Sequence, residues 1–188
     1  MSGGGASGSR PAVFLDRDGT LNREVDYLAD PADFAWLPGA RNAIARLNRA
    51  GLAAVVITNQ SGIARGLLDE RTLARIHAHM HATLAEQGAH LDGVYYCPHH
   101  PDIGPAPYRQ VCACRKPAPG LFKRAAAELD LDLASSWVVG DSPRDLAAGA
   151  ALGLPGLLVE TGKAIEPGQS HGTVPDLVAA VDHILSAG

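Results

Sequence analysis

The stretch AVFLDRDGT, residues 12–20, joins four consecutive apolar residues to a cluster of acidic and small ones. The apolar part is typical of a short strand buried in a parallel sheet, and it ends where Asp16 begins the polar part. Asp16 and Asp18 stand two positions apart, which puts both carboxyls on one side of an extended chain. Gly19 allows the backbone to turn closely after them. An Asp-Gly turn with no catalytic role is a common alternative. The motifs further along the chain distinguish a catalytic site from such a turn.

The same alternation continues along the chain, where short apolar runs are followed by longer segments with helical spacing. Strands are predicted at residues 12–15, 53–57, 93–96, 137–139 and 156–159, and helices at residues 38–50, 69–87, 120–129, 144–152 and 175–185. Such alternation predicts an α/β fold, a doubly wound parallel sheet with helices on both faces. Sheets of this kind bind ligands beyond the carboxyl ends of their strands.

Length and composition indicate one ordinary globular domain. The chain has 188 residues, of which 46% are hydrophobic and 19% charged, so we expect a single domain at residues 11–188. Residues 1–10 are rich in Gly and Ser, lack the apolar stretch of a secretory signal, and are expected to be a disordered leader. Nothing in the sequence calls for more than a monomer, and we expect a cytoplasmic protein.

The charge and the apolar runs exclude two kinds of partner. A net charge of −4 disfavours a broad electrostatic grip on nucleic acid or on an anionic membrane. The longest apolar run, residues 52–57, is far shorter than the roughly 20 residues that span a bilayer. Any phosphate group must therefore be met by a few well-placed cations.

Polar residues follow three of the predicted strands, and they suit the hydrolysis of a phosphate monoester. Asp16 can attack phosphorus as a nucleophile, and Asp18 can serve as general acid and then as general base. Asp141, in the segment GDSPRD at residues 140–145, can bind Mg²⁺ together with Asp16 and the backbone carbonyl of Asp18. Asp145 either orients the catalytic groups without touching the substrate or caps the following helix.

Two further segments offer groups for phosphate oxygens. Thr58 and Asn59 end the second predicted strand, where their side chains and backbone N–H groups can hold a phosphoryl group, although both also suit a simple turn. Lys116 offers a cation for the same oxygens. Without its context, a solvated surface lysine would be the ordinary interpretation.

All three cysteines of the chain lie between residues 97 and 114. Cys97 and His99 form a C-x-H pair, Cys112 and Cys114 a C-x-C pair, and twelve residues separate the two pairs. Three thiolates and one imidazole make a closed tetrahedral site of the structural zinc type. We therefore predict a zinc-stabilised loop at residues 97–114. Because this loop ends directly before Arg115 and Lys116, we expect it to hold both cations in place.

A second group of histidines has no such partners. His77, His79 and His81 lie on the long predicted helix, and the first and last have the spacing of a metal pair. No further ligand stands at a matching position, so we expect a solvated helix face.

The motifs DRDGT, Thr58, Lys116 and GDSPRD, taken together and in this order, resemble the haloacid dehalogenase superfamily of phosphatases. The resemblance covers residues 11–162. It implies the doubly wound fold, and it implies that Thr58 and Lys116 stabilise the transferring phosphoryl group. Only 37 residues lie between Thr20 and Thr58, and predicted elements fill most of them. The chain is therefore expected to lack the cap domain that many members carry.

The zinc loop, together with TNQSGIARG at residues 58–66 and YYCPHH at residues 95–100, resembles the heptose bisphosphate phosphatase family. That family removes the 7-phosphate of D-glycero-D-manno-heptose 1,7-bisphosphate in the synthesis of ADP- or GDP-heptose precursors. The resemblance implies a small sugar bisphosphate as substrate and Mg²⁺ and Zn²⁺ as cofactors. The substrate contacts that it implies are Glu24, Tyr27, Asn59, Gln60, Ser61 and Arg115.

Two alternatives stay open at this point. Histidinol-phosphate phosphatases share the chemistry and a zinc loop, although their loop is generally shorter than the twelve-residue interval found here. A zinc-braced binding protein without catalysis is the alternative from another class, and the intact set Asp16, Asp18, Lys116 and Asp141 speaks against it.

Overall fold

The computed structural model describes residues 9–162 and 172–187. Six parallel strands form one sheet in the order β3-β2-β1-β4-β5-β6. The strands are β1 (Arg10–Leu15), β2 (Ala53–Asn59), β3 (Gly93–Cys97), β4 (Leu131–Gly140), β5 (Gly156–Val159) and β6 (Thr173–Val174). The helices are α1 (Ala40–Arg49), α2 (Glu70–Ala85), α3 (Gly120–Leu129), α4 (Pro143–Ala150) and α5 (Leu177–Ala187). The predicted doubly wound parallel fold is thereby confirmed.

The sheet has a separate apolar core on each face, because side chains alternate along every strand. Val13 and Leu15 of β1 point to the face covered by α1, α2 and α5. Ala12 and Phe14 point to the other face, which α3 and α4 cover. Since β1 is buried on both faces, its sequence is continuously apolar, and this is the pattern that the prediction used.

Helix α2 begins and packs as its sequence predicts. The Asp69 carboxylate accepts a hydrogen bond from the Thr72 N–H and caps the helix, which satisfies one of the backbone donors left free at a helix start. The apolar residues at helical spacing are all buried; they are Leu73, Ile76, Met80 and Leu84.

Strand β4 is the element whose length differs most from the prediction. It was predicted at residues 137–139 only, but it begins at Leu131. Its pairing with β1 jumps from Pro11–Asp132 to Val13–Trp137, so residues 133–136 of β4 bulge beside Ala12. A bulge interrupts the alternation from which a strand is recognised, and the first half of β4 therefore carried no signal.

Two boundaries of the predicted domain organisation can be compared with the structure. Residues 1–8 of the predicted leader lie outside the described residues. Arg10 belongs to β1, where it forms an ion pair with Asp92.

Between β1 and β2 the chain forms only α1 and a short 3₁₀ helix at Pro31–Asp33, which leaves no cap domain there. No helix among the described residues is long and apolar enough to cross a membrane.

Candidate active site

The carboxyl end of β1 carries Asp16, which lies at the base of a cleft of about 250 Å³. The Lys116 ammonium donates to Asp16 Oδ1 at 2.8 Å and to the Ile57 carbonyl at 2.6 Å. Burial raises the pKa of Asp16 to about 7 against the opposing charge of Lys116, and Asp145 and Asp141 raise it further. Lys116 is thus not a solvated lysine: it is 3% exposed and sits beneath the cleft.

Three carboxylates meet at this point of the sheet. Oxygen atoms of Asp16, Asp141 and Asp145 lie within 4.8 Å of one another, and all three residues are buried. Like charges so close together favour a bound cation. Gly19 and Gly162 flank Asp141 so closely that a β-carbon at either position would collide with its carboxylate. The donor set of buried carboxylate oxygens fits Mg²⁺.

Asp145 performs both of the roles between which its sequence left a choice. Its Oδ2 accepts from the Ser142 N–H at 3.0 Å, in a capping box that begins α4. Its Oδ1 lies 2.7 Å from the Lys116 ammonium. Asp145 therefore caps the helix and, together with Asp16, holds the Lys116 ammonium.

Asp18 is held by donors from three directions. The Arg17 guanidinium contacts both of its carboxylate oxygens, at 2.8 Å and 3.0 Å from Nη2. The side-chain amides of Asn22 and Gln60 donate to it at 3.0 Å and 2.8 Å. Burial alone would raise the pKa of Asp18, but Arg17 and these hydrogen bonds outweigh burial and lower it. The carboxylate is therefore fixed, and in the absence of substrate it is anionic.

The residues at the end of β2 also position other groups. Asn59 donates to the Lys116 carbonyl and accepts from the Lys116 N–H, both at 3.0 Å. Gln60 donates to Thr58 Oγ1 at 3.0 Å as well as to Asp18. Asn59 and Gln60 were predicted to contact substrate. Both line the cleft, and the Asn59 amide also fixes the backbone at Lys116 through both of its polar atoms.

The remaining predicted substrate contacts also line the cleft; they are Glu24, Tyr27, Ser61 and Arg115. So do three charged residues that the sequence did not single out: Asp26, Arg65 and Arg144. Tyr27 adopts a positive φ of 57°, an uncommon conformation for a large side chain. The Arg65 guanidinium lies over its ring at 5.5 Å, so the two side chains form one wall of the cleft.

The four predicted zinc ligands come together in one cluster. Their ligand atoms lie within 4.8 Å of one another, and the thiols are 3.1–3.6 Å apart, too far for a disulfide bond. The ligands are Cys97, His99, Cys112 and Cys114. Three sulfur atoms and one imidazole at these separations fit a tetrahedral zinc site.

The zinc cluster is joined to the cleft through Arg115. This residue follows Cys114 directly, and its Nη1 donates to the His99 carbonyl at 3.1 Å. The Gln110 amide lies 2.9 Å from His99 Nε2. Since the side-chain nitrogen of Gln110 can only donate, Nε2 of His99 accepts, and this contact fixes the orientation of the ring while Nδ1 faces the thiols.

Comparison with known proteins identifies the family. The chain is 43% identical to D-glycero-beta-D-manno-heptose-1,7-bisphosphate 7-phosphatase of Vibrio cholerae, over 94% of this chain and 97% of the relative. It is 44% identical to the protein of the same name from Escherichia coli K12, over 85% of this chain and 84% of the relative. The chain belongs to the heptose bisphosphate phosphatase family.

The wider family and the solved structures agree with this. The HAD-hydrolase-like family model matches residues 113–185. The D,D-heptose 1,7-bisphosphate phosphatase of Bordetella bronchiseptica, solved with magnesium and phosphate, is 41% identical with a TM-score of 0.81 over 95% of this chain and 99% of that one. The chain is therefore a phosphoric monoester hydrolase of the haloacid dehalogenase type. The alternative of a binding protein without catalysis is set aside.

One expectation about the histidines of α2 was wrong. His77 does not lie on a solvated face: it is half-buried beside the Tyr96 ring, and its Nε2 is 3.3 Å from Arg17 Nη1. His79 packs against Phe34, whereas His81 is exposed as expected. The helical spacing correctly placed His77 and His81 on neighbouring turns, but it carried no information about Arg17, which approaches from β1.

Proposed function

We propose that this phosphatase removes the 7-phosphate of D-glycero-D-manno-heptose 1,7-bisphosphate through an aspartyl-phosphate on Asp16. The observation that carries the substrate assignment is the distribution of cations in the cleft. Lys116 lies at the base beside Asp16, and Arg65 and Arg115 line the walls. A substrate with two phosphate groups can use both sets, one for the group transferred and one for the group retained.

In the first step of the proposed reaction, the Asp16 carboxylate attacks phosphorus and the bond from phosphorus to the sugar oxygen breaks. Asp18 takes up a proton when the phosphate anion binds beside it, since a nearby negative charge favours the protonated carboxyl, and gives that proton to the leaving oxygen, while Lys116 and Thr58 stabilise charge on the phosphoryl oxygens. In the second step, water attacks the phosphorus of the aspartyl-phosphate and Asp18 takes its proton. Inorganic phosphate leaves and the Asp16 carboxylate is restored.

The carboxylates of Asp16 and Asp141 and the backbone carbonyl of Asp18 are the ligands that we assign to Mg²⁺. Asp145 is left out because its carboxylate already holds Lys116 and the start of α4. When bound, the ion neutralises charge on the transferring phosphoryl group and holds it in line with the nucleophile. We assign zinc to the cluster at residues 97–114 as a structural ion.

The proposed place of the reaction is the cytoplasmic supply of ADP- or GDP-heptose precursors. We further propose that the enzyme works as a monomer, since every residue assigned above comes from one chain. The curated relatives are named for the β-anomer, so we expect the β-anomer to be preferred.

A substrate panel tests the assignment. It compares both anomers of the bisphosphate with heptose 7-phosphate and histidinol phosphate, and we expect kcat/KM to be highest for the β-bisphosphate. Arg115→Met should lower kcat/KM for the bisphosphate by about tenfold and leave that for heptose 7-phosphate within about threefold, as expected for the loss of one exposed phosphate contact. Arg124→Met, on the outer side of α3, is the matched control. A preference for histidinol phosphate would overturn the substrate assignment.

A further inference from the structure

His77 lies on the turn of α2 that faces the carboxyl end of β1. Its Nε2 is 3.3 Å from Arg17 Nη1, and its ring packs against the Tyr96 ring with centroids 6.0 Å apart. Burial, with the Arg17 cation alongside, lowers the pKa of His77 to about 3, so the imidazole is neutral. Because a guanidinium can only donate, Nε2 is the acceptor and Nδ1 carries the proton.

Arg17 connects this imidazole to the cleft. Its side chain has no exposed surface, and its Nε and Nη2 together make three contacts of 2.8–3.2 Å to the Asp18 carboxylate. The five N–H donors of a guanidinium lie in one rigid plane. Fixing Nη1 at His77 therefore also fixes the direction in which the opposite edge holds Asp18.

We infer that His77 is a positioning residue for hydrolysis, which orients the proton-transferring Asp18 through Arg17. The inference rests on the proposed role of Asp18 as general acid and base. Neither His77 nor Arg17 lines the cleft, so His77 is expected to act on the chemical steps and not on the binding of substrate.

The packing of α2 does not require a histidine at this position. The apolar contacts of the helix are made by Leu73, Ile76, Met80 and Leu84. A leucine at position 77 would still cover the Tyr96 ring, but it would leave a buried guanidinium N–H without an acceptor. Loss of an acceptor at a buried cation allows the cation to turn towards other partners.

The test compares two substrates that differ in their need for an acid. An alkyl phosphate such as phenethyl phosphate has a leaving group that must be protonated, whereas the leaving group of p-nitrophenyl phosphate departs readily as the anion. The ratio kcat/KM reports only the steps up to the aspartyl-phosphate, so it excludes the second step, in which Asp18 acts as base for both substrates. For His77→Leu we expect kcat/KM on the alkyl phosphate to fall about tenfold, and kcat/KM on p-nitrophenyl phosphate to fall less than about threefold. His77→Gln, which retains an acceptor, should recover most of the loss.

His81→Leu, one turn further along α2, is the control for the helix and should behave as the wild type on both substrates. If His77→Leu does not fold, as judged by thermal unfolding and zinc content, His77→Met takes its place with the same expectations. An equal loss on both substrates, no loss on the alkyl phosphate, or no recovery in His77→Gln would overturn the inference.

Failure of this inference can be told apart from failure of the proposed function. Neither test substrate contains a sugar, so the comparison of the two substrates can be interpreted even if the heptose assignment is rejected. The variant Asp18→Asn must itself lose far more kcat/KM on the alkyl phosphate than on p-nitrophenyl phosphate. If it does not, the role of Asp18 is wrong, and the role of His77 is wrong with it.

Discussion

At the scale of single residues, the site is built from charges that are buried only because each has a partner. Lys116 lies between Asp16 and Asp145 at 2.8 Å and 2.7 Å, and Arg17 lies between Asp18 and His77. Removing one member of such a set leaves an uncompensated buried charge, which is strongly destabilising. The same partners set the state of each group: burial would lower the pKa of Lys116, but Asp16 and Asp145 outweigh burial and raise it.

His77 should make the stability of the protein depend on pH in the mildly acidic range. The pKa of His77 is about 3 in the folded state and lies below the ordinary 6.5. Between these two pH values the unfolded chain binds a proton at His77 and the folded chain does not. Stability is therefore full above pH 6.5 and is lost as the pH falls from there towards 3. Between pH 7 and pH 5 we expect the wild type to lose up to about 2 kcal/mol more than His77→Gln.

Urea unfolding of both proteins at a series of pH values measures this difference. His81→Gln, an exposed position on the same helix, should keep the dependence of the wild type. Parallel curves for the wild type and His77→Gln would mean that His77 is not held neutral in the folded protein.

At the scale of elements, the junction of β1 and β4 depends on a single hydroxyl. Where β4 bulges away from β1, the Ala12 N–H has no strand partner and donates instead to Ser136 Oγ at 2.8 Å. The Ser136 hydroxyl donates in turn to the Asp132 carbonyl. The Ser136 side chain thus replaces a backbone hydrogen bond between β1 and β4. This replacement lies on β1, the strand that directly precedes Asp16.

Ser136→Ala should lower the free energy of unfolding by about 1–3 kcal/mol, because it leaves a buried backbone N–H without an acceptor. Ser135→Ala, at the neighbouring exposed position, is the control and should change stability by less than about 0.5 kcal/mol. Denaturant unfolding of the two variants gives the comparison. Equal effects at both positions would contradict the account of the bulge.

The zinc loop is the element that connects β3 to the cations of the cleft. Cys97 is the last residue of β3, and Cys114 directly precedes Arg115 and Lys116. We expect Cys112→Ser to lower the zinc content from about one ion per chain to a small fraction, since a structural site needs all four ligands. Activity should fall at least about tenfold, because a misplaced cation costs transition-state stabilisation.

Metal analysis and kinetics on the same preparation test this. His100→Gln changes a histidine of the same loop that is outside the ligand cluster, and it should retain one zinc. Full activity in a Cys112→Ser preparation free of zinc would show that the loop positions Arg115 and Lys116 without the metal.

At the scale of the whole molecule, the sequence predicted the parts that obey a local rule. The strand patterns and the polar residues after them placed Asp16, Thr58 and Asp141 at one edge of the sheet, and Cys and His spacing placed the zinc ligands. Strand β6, Thr173–Val174, was missed because two residues are too short to carry a pattern. The contact of Arg17 with His77 was missed because it joins the segment after β1 to α2 across 60 residues of sequence, which no spacing reveals.

The topology explains why such distant residues meet. In a sheet with the order β3-β2-β1-β4-β5-β6, β1 lies between β2 and β4, and all carboxyl ends point to the same edge. Asp16 therefore has the groups after β2 on one side and the carboxylates after β4 on the other. The proposed function requires Asp16 to be the group that accepts the phosphate.

Trapping the phosphorylated enzyme tests that claim most directly. In Asp18→Asn, transfer from p-nitrophenyl phosphate needs no acid, but attack by water still needs a base, so the intermediate should accumulate. We expect a burst of about one p-nitrophenolate per active site, and acid-quenched protein that carries one phosphoryl group on the peptide containing Asp16. Steady hydrolysis with no burst and no label on that peptide would contradict a covalent mechanism at Asp16.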